Sequence, residues 1–189
     1  MIAPLDTDHA RVVGQLSVDL AAALSIDPDD VALRPPHITC ASYTGLEPRR
    51  AVAALAPVLA VIAPFTVRAH GYGLFTGDAD TDLSLHVMVV RTKALDELHR
   101  CVTAALCGAG AQLAGTTAPR VWTPHITLLD RGLTPRLLGR AVEMLAGRPH
   151  RTWSITLESL AVTHHCGDAD AGPLTMELGG ATRVCGRRS

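Results

Sequence analysis

The tetrapeptide Pro-His-Ile-Thr occurs twice in the chain, at 36–39 and again at 124–127. The two histidines, His37 and His125, are 88 positions apart. In a β-strand, residues i and i+2 face the same side, so each histidine shares a face with the threonine two residues later, and the isoleucine between them points the other way. The repeat therefore predicts two equivalent His-x-Thr pairs, which a twofold relation between the halves of the protein would bring to one cleft.

Two such pairs suit the opening of a cyclic phosphodiester. One group must remove a proton from water while another protonates the departing ribose oxygen, and two histidines with pKa values near 6.5 can hold opposite protonation states at neutral pH. Each positioned acid or base contributes about 10²–10⁴-fold in rate. The hydroxyl groups of Thr39 and Thr127 can bind the nonbridging phosphate oxygens. This scheme needs neither a metal nor a cofactor, and the sequence leaves open which histidine is the acid.

These motifs resemble those of the 2H phosphoesterase superfamily, which includes the bacterial 2′-5′ RNA ligase and cyclic phosphodiesterase proteins. That family carries two H-x-[ST]-hydrophobic motifs, one in each half of a pseudo-symmetric bilobal fold. They stand here as HITC from His37 and HITL from His125, and the resemblance covers nearly the whole chain. It implies metal-independent chemistry on 2′,3′- or 1″,2″-cyclic phosphates or on 2′-5′ linkages, including RNA ligation, with the histidines as acid/base pair and Thr39 and Thr127 as phosphate-binding residues.

The chain departs from the family pattern at three places. In ligase-like relatives the second motif often continues H-x-T-L-x-R, but here Asp130 holds the arginine position and Arg131 comes one residue later. Arg131 remains a candidate substrate contact if a β-bulge re-aims it. Cys40 replaces the larger hydrophobic residue of the first motif, as a small apolar substitute. The N-terminal strand of the family has no recognisable counterpart in the sequence MIAPLD.

Aromatic residues make up only 3% of the chain, so each ring near a motif is informative. Tyr43 lies just after the first motif and Trp122 just before the second. Either ring could stack on a nucleobase at the cleft mouth. The alternative, that both cover edges of the core, is equally well supported. Phe65 and Trp153, at equivalent strand starts, are expected in the core.

The elements around the motifs also repeat. Each motif is preceded by a helical pattern and followed by another, and each half then has a strand, a GDAD turn and a second strand. The helical patterns before the motifs cover 9–24 and 94–107, and those after the motifs start at Pro48 and Pro135. The first strands cover 65–75 and 153–163, the GDAD turns 77–80 and 167–170, and the second strands 83–90 and 173–178. Strands joined by tight turns favour antiparallel pairing. The expected fold is α+β, a pseudo-twofold duplicated bilobal 2H phosphoesterase-like fold with antiparallel sheets lining a central cleft and helices packed outside.

Several boundaries follow from the same pattern. We expect a single bilobal domain over 1–189, with halves of about 1–92 and 93–180 and a flexible tail at 181–189. Thr134 is predicted to cap a helix that begins at Pro135. Its apolar stripe should comprise Leu137, Leu138, Ala141, Val142 and Leu145. Pro57 should kink or shorten the equivalent first-half helix, and residues 108–117 should form a loop.

Composition narrows the class of protein. Hydrophobic residues are 48% and charged residues 19%, as in a folded globular protein. The formal charge of −1 shows no basic excess, which disfavours binding to long nucleic acid and favours a small nucleotide or an RNA end as substrate. Five cysteines without a C-x-x-C pair indicate reduced thiols. An acidic N-terminus and prolines within the apolar stretch 51–67 argue against secretion and against a membrane span. We expect a cytoplasmic protein, with a monomer favoured.

Two other functions remain open. The same cleft could serve a noncatalytic nucleotide-binding module, although binding alone does not need a matched acid and base. A metal-dependent hydrolase could combine His37 and His125 with His164 and His165, but the segment HHC at 164–166 lacks a spaced set of partner ligands. The GDAD turns lack the remaining ligands of a calcium loop.

Overall fold

The computed structural model describes residues 1–27, 35–76, 83–148, 152–163 and 173–179. Within these ranges lie four α-helices: α1 (Thr7–Leu24), α2 (Pro48–Leu59), α3 (Lys93–Gly108) and α4 (Pro135–Ala146). The strands are β1 (Ile2–Pro4), β2 (His37–Thr39), β3 (Tyr43–Thr44), β4 (Phe65–Thr76), β5 (Leu83–Val89), β6 (Gln112–Leu113), β7 (His125–Leu133), β8 (Thr152–Leu157), β9 (Ser159–Val162) and β10 (Leu174–Glu177). The two GDAD turns, the histidine pair at 164–165 and the tail at 181–189 lie outside the described residues.

Eight of these strands form one sheet in the order β10-β9-β1-β2-β7-β5-β4-β8, with antiparallel neighbours throughout. β3 and β6 form a separate two-stranded ribbon. β6 lies within the stretch 108–117, where a loop was expected. The motif strands β2 and β7 are neighbours at the centre of the large sheet. The predicted α+β class, with antiparallel strands and flanking helices, is confirmed.

The first-half hairpin and the last two strands each lie on the side of the sheet that holds the motif strand of the other half. The first-half hairpin, β4–β5, pairs with the second motif strand β7, whereas the second-half strands β9 and β10 extend the sheet beyond β1 and β2. The stretch 153–163, expected as one strand, breaks at Glu158 into β8, at one end of the strand order, and β9, second from the other end. The sheet curls so that its two ends approach at this residue, and a single straight strand could not serve both ends. The division at residue 92 stays a prediction.

The N-terminal strand is present, and the expectation that it was missing is wrong. Ile2 pairs with Thr39 on one side and with Ala161 on the other, so β1 is hydrogen-bonded between β2 and β9. Three residues are too few for an alternating pattern to show in the sequence. Pairing on both sides supplies the stability that the local pattern does not indicate.

The helices cover the face of the sheet opposite the motif histidines. Ile38 and Ile126 are fully buried on that face, where α1 packs against β7. Cys40 is also buried, and burial raises the pKa of its thiol to about 12, in keeping with an apolar role. α1 begins after Asp6, whose carboxylate accepts a hydrogen bond from the His9 backbone N–H.

The proline-started helices agree with the sequence pattern except at two residues. α4 begins at Pro135 after Thr134, as predicted, but Val142 is 54% exposed, so its place in the apolar stripe was wrong. The buried stripe of α4 is narrow, and Val142 lies beyond its edge. Pro57 does not shorten α2, because it lies exposed in the last turn, where its missing N–H removes only one helical hydrogen bond.

Candidate active site

The two motifs meet directly across β2 and β7. Ile38 is the register partner of Ile126, and the strands are antiparallel. His37 therefore lies opposite Thr127, and the other histidine and threonine lie opposite each other in the same way. The two histidines are then diagonal neighbours on one face, with Cα atoms about 7–8 Å apart. The structure thus brings together all four residues predicted from the repeat.

Backbone carbonyls orient both imidazole rings. Nδ1 of His37 lies 2.9 Å from the carbonyl oxygen of Pro35, and Nδ1 of His125 lies 2.7 Å from that of Thr123. A carbonyl oxygen can only accept, so each Nδ1 carries the proton that it donates. In the neutral ring the lone pair is then on Nε2. The proline before each histidine keeps the preceding residue extended, which helps to present its carbonyl to the ring.

Two cavities flank the motif strands. The larger, of about 740 Å³, is lined by Thr39, Ser42, Leu74, Phe75, Thr76, Ser84, Gly115, Thr116, Thr117, Val121, Trp122, Thr123, His125, Thr127 and Asp130. The smaller, of about 300 Å³, is lined by Met1, Ile2, His37, Thr39, Ser42, Tyr43, Leu46, Glu47, Pro48, Val162 and Thr163. Thr39 and Ser42 line both. The cleft therefore has a wide side at His125 and a narrow side at His37.

A register change in β7 decides which charged residue faces the wide cavity. Relative to β5, β7 carries extra residues between Thr127 and Leu129 and again between Leu129 and Leu133, and Gly132 there has a positive φ of 75°. The result is that Asp130 lines the cavity. Arg131 is exposed and is not among the residues that line either cavity.

The electrostatic setting of His125 favours its neutral form. Burial is the largest influence and lowers its pKa below the usual 6.5, while the Thr123 carbonyl and the nearby Asp130 carboxylate oppose that lowering. A bound phosphodiester would add a negative charge beside the ring and raise the pKa again.

Tyr43 and Trp122 have different surroundings. Tyr43 is half-buried in the narrow cavity, and burial raises the pKa of its phenol. Trp122 borders the wide cavity but is only 3% exposed. Its ring stacks on His99 with centroids 3.9 Å apart, and its indole N–H donates to the Thr39 carbonyl at 2.9 Å. Trp122 therefore packs at a core edge and fixes the first motif strand.

A supporting network around Trp122 was not predicted. Arg91 donates to the carbonyls of Trp122 and Pro119, each at 3.0 Å, and the His99 ring bonds the Thr117 carbonyl at 3.1 Å. These contacts hold the segment that enters the second motif. His99 lies on the buried stripe of α3, and its place in that helical periodicity is the sequence signal that could have identified it as a buried residue.

A third histidine lies beside His125 and was also missed. His86 is fully buried, and its ring centroid is 4.8 Å from that of His125 and 3.9 Å from that of Phe75. Phe75 in turn meets His125 edge-on at 4.8 Å and lines the wide cavity. His86 lies on the cleft face of β5, because its register partner on β7 is Thr127 and paired residues point to the same face of a sheet.

In the part of the chain that the structure describes, no group of three or more His, Cys, Asp or Glu side chains is placed to hold a metal ion. The histidine pair of the metal-dependent alternative lies outside that part. No helix in the described ranges is long and apolar enough to cross a membrane.

Comparisons with known proteins give a family and a similar fold. The family model of the 2′-5′ RNA ligase superfamily matches residues 5–169. A solved structure described as "Crystal structure of phosphoesterase" superimposes with a TM-score of 0.56 at 19% identity, over 94% of this chain and 95% of that one. At this identity the structural match shows the fold alone. A search of the curated proteins gave no match.

Proposed function

The chain belongs to the 2′-5′ RNA ligase superfamily, and on that premise we propose that it is a metal-independent phosphoesterase acting on a cyclic phosphodiester or a 2′-5′ linkage of a nucleotide or RNA end. The observation that carries the proposal is the antiparallel pairing of the two motifs about Ile38 and Ile126. It sets two oriented imidazoles and two hydroxyl groups around one point on the sheet. A phosphate there has an acid or base on each side and a hydroxyl donor beside each.

The unequal cavities support one arrangement of the substrate. In a cyclic phosphate the leaving oxygen stays attached to the nucleoside, and water attacks phosphorus from the opposite side. The nucleoside then occupies the wide cavity, whose volume of about 740 Å³ is in the range of small-molecule sites, and water enters from the narrow side. In this arrangement His125 protonates the leaving oxygen and His37 activates the water.

The walls of the wide cavity suit a nucleoside. Phe75 is a half-buried aromatic ring on its wall and can stack on a base, a role that the packing of Trp122 on His99 disfavours for the indole. Leu74 and Val121 add apolar surface, and Thr116 adds a hydroxyl. Asp130 places a negative charge in the cavity and opposes a second phosphate there. The substrate proposed is accordingly small and carries one phosphodiester charge in the cleft.

The test is turnover of nucleoside 2′,3′-cyclic monophosphates, a 1″,2″-cyclic phosphate and a 2′-5′ dinucleotide by the purified protein in EDTA. We expect hydrolysis of at least one of them, and the products identify the bond. Phe75→Ala should raise KM because it removes the stacking surface, while Val61→Ala, at an exposed residue that lines neither cavity, is the control.

Two results would contradict the proposal. Tight nucleotide binding without any turnover would favour the noncatalytic binding module. Turnover that is lost in EDTA and restored by a divalent metal would favour the metal-dependent hydrolase.

A further inference from the structure

The near-symmetry of the two motifs breaks beside their threonines. On the first motif strand, β2, the register partner of Thr39 is Ile2 on β1. On the second, Thr127 has His86 as its partner across β5. An imidazole therefore lies beside Thr127 in the second motif, where an aliphatic side chain lies beside Thr39 in the first.

His86 occupies this position at a cost. Its side chain is fully buried, and among the residues that the structure describes neither ring nitrogen has a hydrogen-bond partner. The Ser84 carbonyl is close enough to oppose the lowering of its pKa, but no hydrogen bond of normal geometry joins them. A buried polar group without a partner destabilises a fold, so an apolar residue would be favoured here if packing were the only role.

The surroundings are shaped to admit this ring. Gly73 is the register partner of His86 on β4, and a Cβ atom there would lie 2.9 Å from Nε2 of His86 and 2.4 Å from Sδ of Met88. Any side chain at residue 73 would force the ring of His86 or the thioether of Met88 to shift. Phe75 covers the ring from the cavity side, and His125 lies on the remaining side at 4.8 Å between centroids.

We propose that His86 is a positioning residue that packs against His125 and stabilises its protonated, proton-donating form. This rests on the proposed function in so far as His125 is the general acid. A neutral imidazole offers a lone pair and a dipole to an adjacent imidazolium, whereas an aliphatic side chain in the same place offers neither and excludes water as well.

The charges around His125 are consistent with this role. Burial and the neighbouring His125 lower the pKa of His86 to about 4, so above that pH His86 is neutral and adds no competing positive charge. In the described chain the other titratable groups facing His125 are Asp130 on its own strand and His37 across the cleft. β4 contributes Gly73 and Phe75, which do not titrate. His86 and Asp130 therefore both favour the protonated form of His125.

The test is an NMR titration of the ¹⁵N-labelled His125 ring in wild type, His86→Ile and His86→Gln, with Asp130→Asn as a positive control. Isoleucine copies Ile2, the register partner of the threonine in the first motif, and glutamine keeps a donor and an acceptor. We expect His86→Ile to lower the His125 pKa by about one pH unit, and His86→Gln to lower it much less. At pH 7, kcat/KM of His86→Ile should fall about tenfold, and the defect should shrink as the pH is lowered.

The outcomes separate the two claims. A His125 pKa that does not move in His86→Ile overturns the role of His86, whether or not the protein turns over a substrate. Wild type without turnover overturns the proposed function, and the titration still decides whether His86 stabilises protonated His125. Because His86→Ile removes buried unpaired nitrogens, its free energy of unfolding should not fall below that of wild type, so loss of the fold does not account for the expected loss of activity.

Discussion

Ile38 and Ile126 are register partners at the centre of the eight-stranded sheet, and this single pairing sets the geometry of the cleft. It places both histidines on the face away from the helices, each opposite the threonine of the other motif. The pairing also explains why a motif of three residues suffices in each half: one residue packs in the core and the two beside it face the substrate.

The pH dependence of kcat/KM should identify the role of His125. As general acid it must be protonated, and its pKa lies below 6.5 because the ring is buried. Activity should therefore fall as the pH rises through this lowered pKa. Asp130→Asn removes a negative neighbour, lowers the His125 pKa further and moves the fall to lower pH. An activity that instead rises through the same range would assign His125 as the base.

The threonine hydroxyls should contribute to transition-state stabilisation. Thr127→Val keeps the shape of the side chain but removes its hydroxyl donor to the phosphate. We expect kcat to fall by about 10²-fold, as for other single donors to a developing charge. Thr127→Ser restores the hydroxyl and should recover most of the rate. Equal activity of the valine and serine variants would show that the threonine serves only the strand.

Sequence patterns predicted the parts of this molecule that depend on local periodicity. α1, α3 and α4 and the shared face of His37 and Thr39 follow from spacings of 3.6 and 2 residues. β1 escaped detection because its three residues gain stability from both neighbouring strands. The break of the predicted strand at Glu158 also depends on the curl of the whole sheet.

The remaining site residues depend on register between strands. Asp130 enters the wide cavity because β7 carries extra residues relative to β5. His86 becomes a neighbour of His125 only because β5 pairs with β7 in this register. The alternation in LSLHVMV did place His86 on the face of Ser84 and Met88, which was a usable signal. Nothing local indicated which face that was.

Trp122 should stabilise the first motif strand through its indole nitrogen. Trp122→Phe keeps an aromatic ring against His99 but leaves the buried Thr39 carbonyl without this donor. We expect a loss of about 1–3 kcal/mol in the free energy of unfolding, measured by urea denaturation. Tyr43→Phe, on the other side of the cleft, is the comparison variant. A Trp122→Phe protein as stable as wild type would show that the hydrogen bond contributes nothing.

His86 should make the protein sensitive to acid. Its pKa is about 4 in the folded protein and 6.5 in the unfolded chain, so the unfolded state binds more protons between these values. Stability is therefore lost as the pH falls from 6.5 to 4, by about 3 kcal/mol at most. Urea denaturation at several pH values should show the free energy of unfolding of His86→Ile rising relative to that of wild type, by about 3 kcal/mol at most, as the pH falls from 6.5 to 4. A constant difference between the two proteins would contradict the lowered pKa.

The most direct test of the two-histidine site is turnover in EDTA by wild type, His37→Ala and His125→Ala on the same panel of cyclic phosphates and 2′-5′ dinucleotide. We expect activity in wild type and a loss of at least about a hundredfold in each variant, with both variants folded. His9→Ala, at the N-terminal end of α1, is a matched histidine control that should retain full activity. Activity that survives either cleft substitution would show that the paired motifs do not carry the reaction.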